Sequence, residues 1–277
     1  MNNFIIALLF TLSLAGQSVA DVLHPQDTSS LCPAGTTGQT QLGFRQSIEQ
    51  LNKDTLTVLT WNAHKLENPR FYPDIKSLSE KTDIIFMQEA MHTLTTESWF
   101  ALQLPFDWSF HKSFCMSGEA TGVMTGSRFP MIDSRTITSR GTEPVVYTPK
   151  VSGVSTIVIQ NQPVLLINTH ALNFNSGRAF EDQIDQIIEI ITKASTNTRV
   201  NVAVIWAGDF NTWNPIRRSY LFNQARSVGL EPLIPKNDPR KLKLDHILVR
   251  GLKVLSVKVL GQYQTSDHLP VEAELSF

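Results

Sequence analysis

Polar clusters interrupt the apolar runs of this chain at intervals: Trp61-Asn62, Gln88-Glu89, Asn168-Thr169-His170, Gly208-Asp209-Phe210-Asn211, Asp245-His246 and Ser266-Asp267-His268. Taken singly, each has an ordinary reading. Asn62 suits a turn, Glu89 a solvated strand end, His170 a hydrogen-bonded structural imidazole, and Asp209 to Asn211 a cap on the helix that follows. Asp267 suits a turn as well. Together they gather hard oxygen donors and imidazoles at the ends of apolar strands, where a rigid scaffold usually carries catalytic groups. Asn and Glu oxygens suit Mg²⁺, which takes few protein ligands and keeps several waters. Hydrolysis of a phosphate ester needs a Lewis acid beside the developing charge. It also needs a base or orienting group for the attacking water and help for the leaving oxygen. Asp209, His170 and His268 are the candidates for those tasks. The sequence has no Cys-x-x-Cys, His-Glu-x-x-His, Gly-x-Ser-x-Gly or P-loop, which disfavours a zinc centre, a serine hydrolase and NTP-driven phosphoryl transfer.

The elements that must hold these residues can be read from periodicity. Alternation predicts strands over Leu56–Trp61, Asp83–Gln88, Trp108–Phe114, Gly122–Gly126, Ile132–Ser139, Val154–Gln160 and Val164–Thr169. Further strands are expected over Asn201–Trp206, Leu244–Arg250, Leu252–Leu260 and Pro270–Leu275. Helices are expected over Tyr72–Lys81, Thr95–Gln103, Gly177–Ala194 and Pro215–Val228. In the third of these Ile184, Ile187, Ile188 and Ile191 share one face, and Pro215 suits the first position of the fourth. Strands and helices mix without strict alternation, which favours mixed sheets covered by helices around one core.

Composition sets the outer bounds. With 24 Lys and Arg against 25 Asp and Glu, a chain of net charge −1 does not grip nucleic acid by bulk charge, although a local phosphate site is compatible with it. An apolar share of 42% excludes disorder. Residues 1–20 carry no charged side chain, are apolar from Phe4 to Leu14, and end in Ser18-Val19-Ala20. This reads as a signal peptide cleaved near Ala20, and the apolar run is too short for a membrane span. Secretion or a periplasmic location is therefore expected. Residues 21–52 read as a polar N-terminal extension with a short helix near Phe44–Leu51, and residues 53–277 as the folded domain. Export favours a disulfide between Cys32 and Cys115; the alternative is two unrelated buried thiols.

The ordered series of clusters resembles the endonuclease/exonuclease/phosphatase superfamily, of deoxyribonuclease-I-like fold, over Leu56 to Phe277. Ser117–Ser127, His170 to Phe174 and Gly208–Trp213 are similar to its YafD-type bacterial branch. The resemblance implies an α/β fold, a four-layer α/β/β/α sandwich in which two mixed β-sheets pack face to face with helices outside. It implies Asn62, Glu89 and Asp267 at the divalent metal, with Glu89 the direct ligand. Mg²⁺ is the expected ion, with Mn²⁺ or Ca²⁺ as substitutes. It further implies Asp209 on the attacking water, Asn211 on the scissile phosphate, and Asp245 holding the imidazole of His268, itself a base or phosphate contact. His170 would stabilise the phosphate or assist the leaving group.

Glu119 is near the place where the family's nuclease branch partners its first histidine with a carboxylate; a surface position is the other reading. Lys65 could touch phosphate, and Arg217-Arg218 and Arg240 to Lys243 could flank a polyanion, although such runs are more often solvated faces. Trp99, Phe100, Phe106, Trp108 and Phe110 read as core rather than as a lipid-binding hairpin. The expected function is an exported phosphoesterase, acting as a monomer, that cleaves a phosphodiester of nucleic acid by direct water attack. The alternatives are a phosphatase or phospholipase acting on a phosphoinositide, sphingolipid or small ester, and a toxin or adaptor subunit that works by binding a partner.

Overall fold

A computed structural model describes residues 39–42, 53–144, 146–174, 177–196 and 202–277. Strand β1 spans Gln39–Leu42, β2 Thr55–Asn62, β3 Ile84–His92, β4 Asp107–Met116, β5 Glu119–Ser127, β6 Asp133–Thr142 and β7 Pro149–Ile159. Then come β8 Gln162–His170, β9 Ala203–Asp209, β10 Glu231–Pro232, β11 Asp245–Arg250, β12 Lys253–Val259 and β13 Val271–Ser276. Helices α1 (Phe71–Ser79), α2 (Leu94–Gln103), α3 (Gly177–Thr196) and α4 (Pro215–Ser227) lie among them.

The strands form two mixed sheets, of order β1-β4-β5-β3-β2-β13-β12 and β10-β11-β9-β8-β7-β6. Apolar side chains of both sheets meet between them, with Val58, Phe86, Leu166, Ile205, Ile247 and Ala273 in one buried cluster. The outer face of the first sheet packs Trp61, Met87 and Trp108 against Phe71, Ile75 and Phe100 of α1 and α2. The outer face of the second packs Ile167, Val204 and Trp206 against Phe180, Ile184, Ile187 and Ile191 of α3 and Leu221 of α4. The four-layer sandwich is therefore present, and its helices amount to apolar stripes buried on sheet faces. Each parallel pair, β2 with β3 and β8 with β9, is joined through a helix, as parallel strands require.

A polar seam crosses the centre of the otherwise apolar sandwich. Asn168 donates to the carbonyls of Met87 and Met124 and accepts from Gln88 Nε2 at 2.7 Å, linking the sheets beneath the polar strand ends. Farther along, the buried His111 ring lies between the Thr136 hydroxyl at Nδ1 (2.9 Å) and the Ser109 hydroxyl at Nε2 (3.1 Å). Burial pushes its pKa down to about 4, so the ring is neutral at physiological pH, and hydroxyls at both ring nitrogens, Ser134 at 3.3 Å from Nε2 among them, satisfy it without a charge.

Three expectations change. The extension contributes strand β1, paired with β4 through its backbone. Strand β3 does not stop at Gln88 but continues to His92 through a bulge between Met87 and Ala90. The short strand β10 was not foreseen. The residues expected to form the signal peptide, the Phe44–Leu51 helix and Cys32 lie outside the described residues.

Candidate active site

Strand register assembles one half of the site. In the second sheet His170 of β8 pairs with Asp209 of β9, and Asp209 pairs with Asp245 of β11, so one row across three strands carries all three residues. Such a row is tight at its centre. A Cβ on Gly208, at φ +147°, would lie 1.9 Å from the Thr169 carbonyl oxygen, so only glycine fits before Asp209. The first sheet supplies the other half: Asn62 ends β2 beside Gln88 of β3, Glu89 follows, and Asp267 and His268 precede β13. Glu89 occupies the bulge with φ +49°. For a residue with a Cβ that is a strained conformation of the kind kept at functional positions, and the bulge re-aims its carboxylate.

These placements bring the polar groups together. Asn62 Nδ2 donates to Asp209 Oδ2 at 3.0 Å and to Glu89 Oε1 at 3.4 Å, while its Oδ1 accepts from the His64 amide. Asp209 Oδ1 accepts from the Asn211 amide at 2.9 Å. Asn211, at φ +49°, turns its side chain to donate to the Ala171 carbonyl. His170 Nε2 lies 3.6 Å from Asp209 and 3.9 Å from Glu89. His268 Nε2 lies 3.8 Å from the same Asp209 oxygen, and its Nδ1 is 3.0 Å from both oxygens of Asp245. Behind Asp245, Arg240 donates to its backbone carbonyl at 2.8 Å and is itself paired with Asp238. Trp61 Nε1 donates to the His268 carbonyl at 2.9 Å, and Ser266 Oγ donates to the Asn62 carbonyl, so the two first-sheet segments are tied to each other.

The electrostatics separate the two imidazoles. Burial works against charge on the His268 ring, but Asp245, through space and through its hydrogen bond, outweighs it and, with Asp209, raises the pKa to about 10. His268 is therefore an imidazolium at neutral pH, a donor for a phosphoryl oxygen rather than a proton acceptor. His170 is pushed well below the usual imidazole range by burial, then by the positive charges of Lys150, His268 and Lys65, and stays neutral. Burial raises the Asp209 carboxyl to about 6, against the pull of His268 and with the help of Asp245. A carboxylate of that basicity suits a general base near neutral pH.

The donor set fits a hard divalent ion. Glu89 is partly open to solvent, and among the described residues no Lys or Arg lies within ion-pair distance of it. The Asn62 oxygen beside it already accepts from the His64 amide and has one further lone pair to offer, and oxygen donors with room for water are what Mg²⁺ takes. Asp209, Asp245 and His268 also offer ligand atoms within 4.8 Å of one another, but an ion there would compete with the Asp245–His268 hydrogen bond, so the Glu89 side fits better. Asp267 stands apart: its side chain is 61% exposed and lies 3.6 Å from His64 Nδ1.

Glu119 is exposed at the start of β5 and takes the surface reading. The two basic runs are not solvated faces throughout. Arg240 is buried in its ion pairs, and Arg217 is buried against the Phe180 ring at 4.1 Å while donating to the Leu172 carbonyl. Phe100, Phe106, Trp108 and Phe110 are core, as expected. Sequence reading missed Lys150 and Glu143, which lie with Lys65 in the cleft beside Glu89 and His170; nothing in their local pattern marks them.

A four-layer sandwich carries a buried carboxylate, an Asp-His pair and oxygen donors suited to a hard ion at one edge of its paired sheets. The profile of the Endonuclease/Exonuclease/phosphatase family matches residues 59–268, and the chain belongs to that family, whose members hydrolyse phosphoesters and typically depend on a divalent metal. It is similar to UPF0294 proteins, the YafD-type branch. One from Vibrio cholerae is 28% identical over 222 residues, covering 78% of this chain and 76% of that protein. Another, from Vibrio parahaemolyticus, is 25% identical over 281 residues, covering 97% and 96%. Among solved structures, the fold is shared with the human Nocturnin catalytic domain (TM-score 0.64, 18% identity, 86% of this chain and 97% of that one). It is also shared with a family protein from Bacteroides thetaiotaomicron (TM-score 0.63, 19% identity, 80% and 95%).

Proposed function

We propose that this protein is an exported, Mg²⁺-dependent phosphodiesterase whose substrate is nucleic acid, cleaved by direct attack of water. The observation that carries the reading is the row His170–Asp209–Asp245 with an open cleft at each end. At the His170 end the cleft holds about 270 Å³ and is lined in part by Lys65 and Lys150. At the Asp245 end it holds about 450 Å³ and is lined in part by Arg240, Lys241 and His268. A phosphodiester backbone crossing the row would meet cations on both sides of the cleaved bond.

Glu89 and Asn62 would hold the ion, which would supply a Lewis acid to offset charge on a phosphoryl oxygen. Asp209, held by Asn62 and the Asn211 amide, takes the proton from the attacking water. As the water oxygen bonds to phosphorus, the bond to the leaving oxygen breaks, and that oxygen takes up a proton from solvent while Asp209 releases the one it gained. The His268 imidazolium donates to a phosphoryl oxygen, with Asp245 fixing its ring. Neutral His170 donates a hydrogen bond from the opposite side. The assignment is tested on a panel of plasmid DNA, RNA, phosphoinositide and sphingomyelin, with and without chelator, beside His268→Ala. Chelator-sensitive cleavage of nucleic acid that His268→Ala lacks is the expected result; cleavage unaffected by either removes the reading.

One observation favours lipid as a second reading. Phe174, Trp213 and Ile216 are exposed on the segments that follow His170 and Asn211, and Arg217 links these segments, stacking on Trp213 and donating to Leu172. Preferential hydrolysis of the vesicle substrates in the panel would select it.

The uncharged stretch ending at Ala20 supports export and a mature chain that begins at Asp21. Export in turn supports a Cys32–Cys115 disulfide, and Cys115 lies buried on β4. Intact mass of secreted protein, with and without alkylation, checks both: a chain beginning at Met1 or two alkylatable thiols contradicts the respective part.

A further inference from the structure

The cleft beyond Glu89 and His170 has two kinds of lining. Phe114 and Met116 of β4 form one apolar wall and Val146 faces the cleft as well. The same cleft is lined by a charged pair: Lys150 Nζ is 3.4 Å from Glu143 Oε1, with side-chain exposures of only 9% and 17%. The pair is braced. Lys150 Nζ sits 5.7 Å from the centre of the Phe114 ring, and the same Glu143 oxygen accepts from the Asn173 amide, on the segment that follows His170. Removing a Lys–Glu pair from water is costly and adds little to stability, so its position in the wall of a cleft that opens onto the reacting groups calls for a partner.

The chemistry of the lining narrows that partner. An acyl chain would bring hydrocarbon against the Lys150 and Glu143 heads, whose remaining hydrogen bonds it cannot satisfy. A bare sugar or phosphate would leave the Phe114 and Val146 faces uncovered. A planar heteroaromatic ring satisfies both, since its faces stack on apolar and aromatic side chains and its edge offers donors and acceptors to a carboxylate and an ammonium. At about 270 Å³ the cleft lies near the small end of ligand pockets, with room for one ring system and none for a base-paired duplex.

We infer that this cleft is a nucleobase subsite, in which Phe114 stacks on the base next to the scissile phosphate while Lys150 and Glu143 hold its edge. This rests on the phosphodiesterase reading and deepens it: the substrate reaches the site as a single-stranded or frayed nucleotide, one base at a time.

Binding separates this inference from the reading beneath it. Calorimetry with the full-length protein in Mg²⁺ compares adenosine 5′-monophosphate with ribose 5-phosphate, which carries the same phosphate without a base. The nucleotide is expected to bind about tenfold tighter or more, the range of one base–aromatic stack. Phe114→Ala is expected to bring the nucleotide to the affinity of ribose 5-phosphate and to leave the latter unchanged. Equal affinities in the parent protein, a comparison that needs no variant, overturn the subsite and leave the phosphate site standing. If neither ligand binds, the phosphate site fails and the subsite with it. Displacement of the nucleotide by phosphoinositide or sphingomyelin vesicles, lost in Phe114→Ala, gives the cleft to lipid instead.

Discussion

The Asp245–His268 pair is the part of the site whose removal has the most specific signature. Both Asp245 oxygens lie 3.0 Å from His268 Nδ1, and the carboxylate is the chief reason the ring's pKa stands at about 10, since burial alone would lower it. Asp245→Asn removes that charge and lets the ring fall to the ordinary imidazole value of roughly 6.5 or below. The sign follows directly. The parent ring stays charged until pH rises through about 10, whereas the variant ring is charged only below about 6.5. At pH 8 the variant then holds the imidazolium in roughly one molecule in thirty, and at pH 6 in most molecules. Activity of Asp245→Asn should thus be about thirtyfold or more below the parent at pH 8 and much closer to it at pH 6, the gap widening about threefold from pH 6 to pH 7 and about eightfold from pH 7 to pH 8. His268→Ala should lose about 10² to 10⁴ in rate. The double variant should be scarcely worse than His268→Ala, because the two residues act as one unit. The assay is kcat/KM for the three variants from pH 6 to pH 9 on the substrate the panel identifies, with melting temperatures alongside. A profile for Asp245→Asn that runs parallel to the parent, or losses that multiply in the double variant, would show that Asp245 does not hold the charge on His268.

The remaining predictions concern the scaffold around the site. The neutral His111 ring, with its pKa lowered to about 4 by burial, contributes stability that is fully present above pH 6.5 and lost as pH falls from there toward 4. Between pH 7 and pH 5 the parent should lose about 2 kcal/mol more than His111→Gln in urea unfolding, and equal losses contradict the assignment. Trp61→Phe keeps the packing against Phe71, whose ring centre is 4.3 Å away, but deletes the donor to the His268 carbonyl. It should lower stability by about 1 kcal/mol and reduce kcat more than it raises KM; kcat left at the parent value argues that the His268 segment needs no such tether.

Most of the site was legible because its residues are polar where an apolar strand should continue, as at Asn62 and Asp209. What the sequence could not show was depth and reach. Glu89 reads as the end of a strand, whereas a bulge lets β3 run on to His92 with Glu89 turned into the cleft; nothing in Gln88-Glu89-Ala90 announces a positive φ. Strand β1 has no apolar alternation and is held largely by backbone pairing with β4, with Gln41 Nε2 also donating to Asp107, so periodicity passes over it. Arg240 and Arg217 sit in charged runs whose usual reading is solvent; Arg240 is held by Asp238 and the Asp245 carbonyl close by in the chain, whereas the burial of Arg217 depends on distant partners, the Leu172 carbonyl and the Phe180 ring. The buried Lys150–Glu143 pair is likewise a product of the β6–β7 turn folding back, not of local spacing.

We propose that Glu89, Asn62, Asp209 and the two imidazoles form one metal-assisted hydrolytic centre. Binding of Mn²⁺, followed by electron paramagnetic resonance and competed with Mg²⁺, tests it without reference to any substrate. The parent should bind one ion at the site. Glu89→Gln, a partly exposed strand residue outside the core, should keep the parent's melting temperature and bind the ion at least about tenfold more weakly. Parent-like Mn²⁺ binding by Glu89→Gln would mean that Glu89 holds no ion.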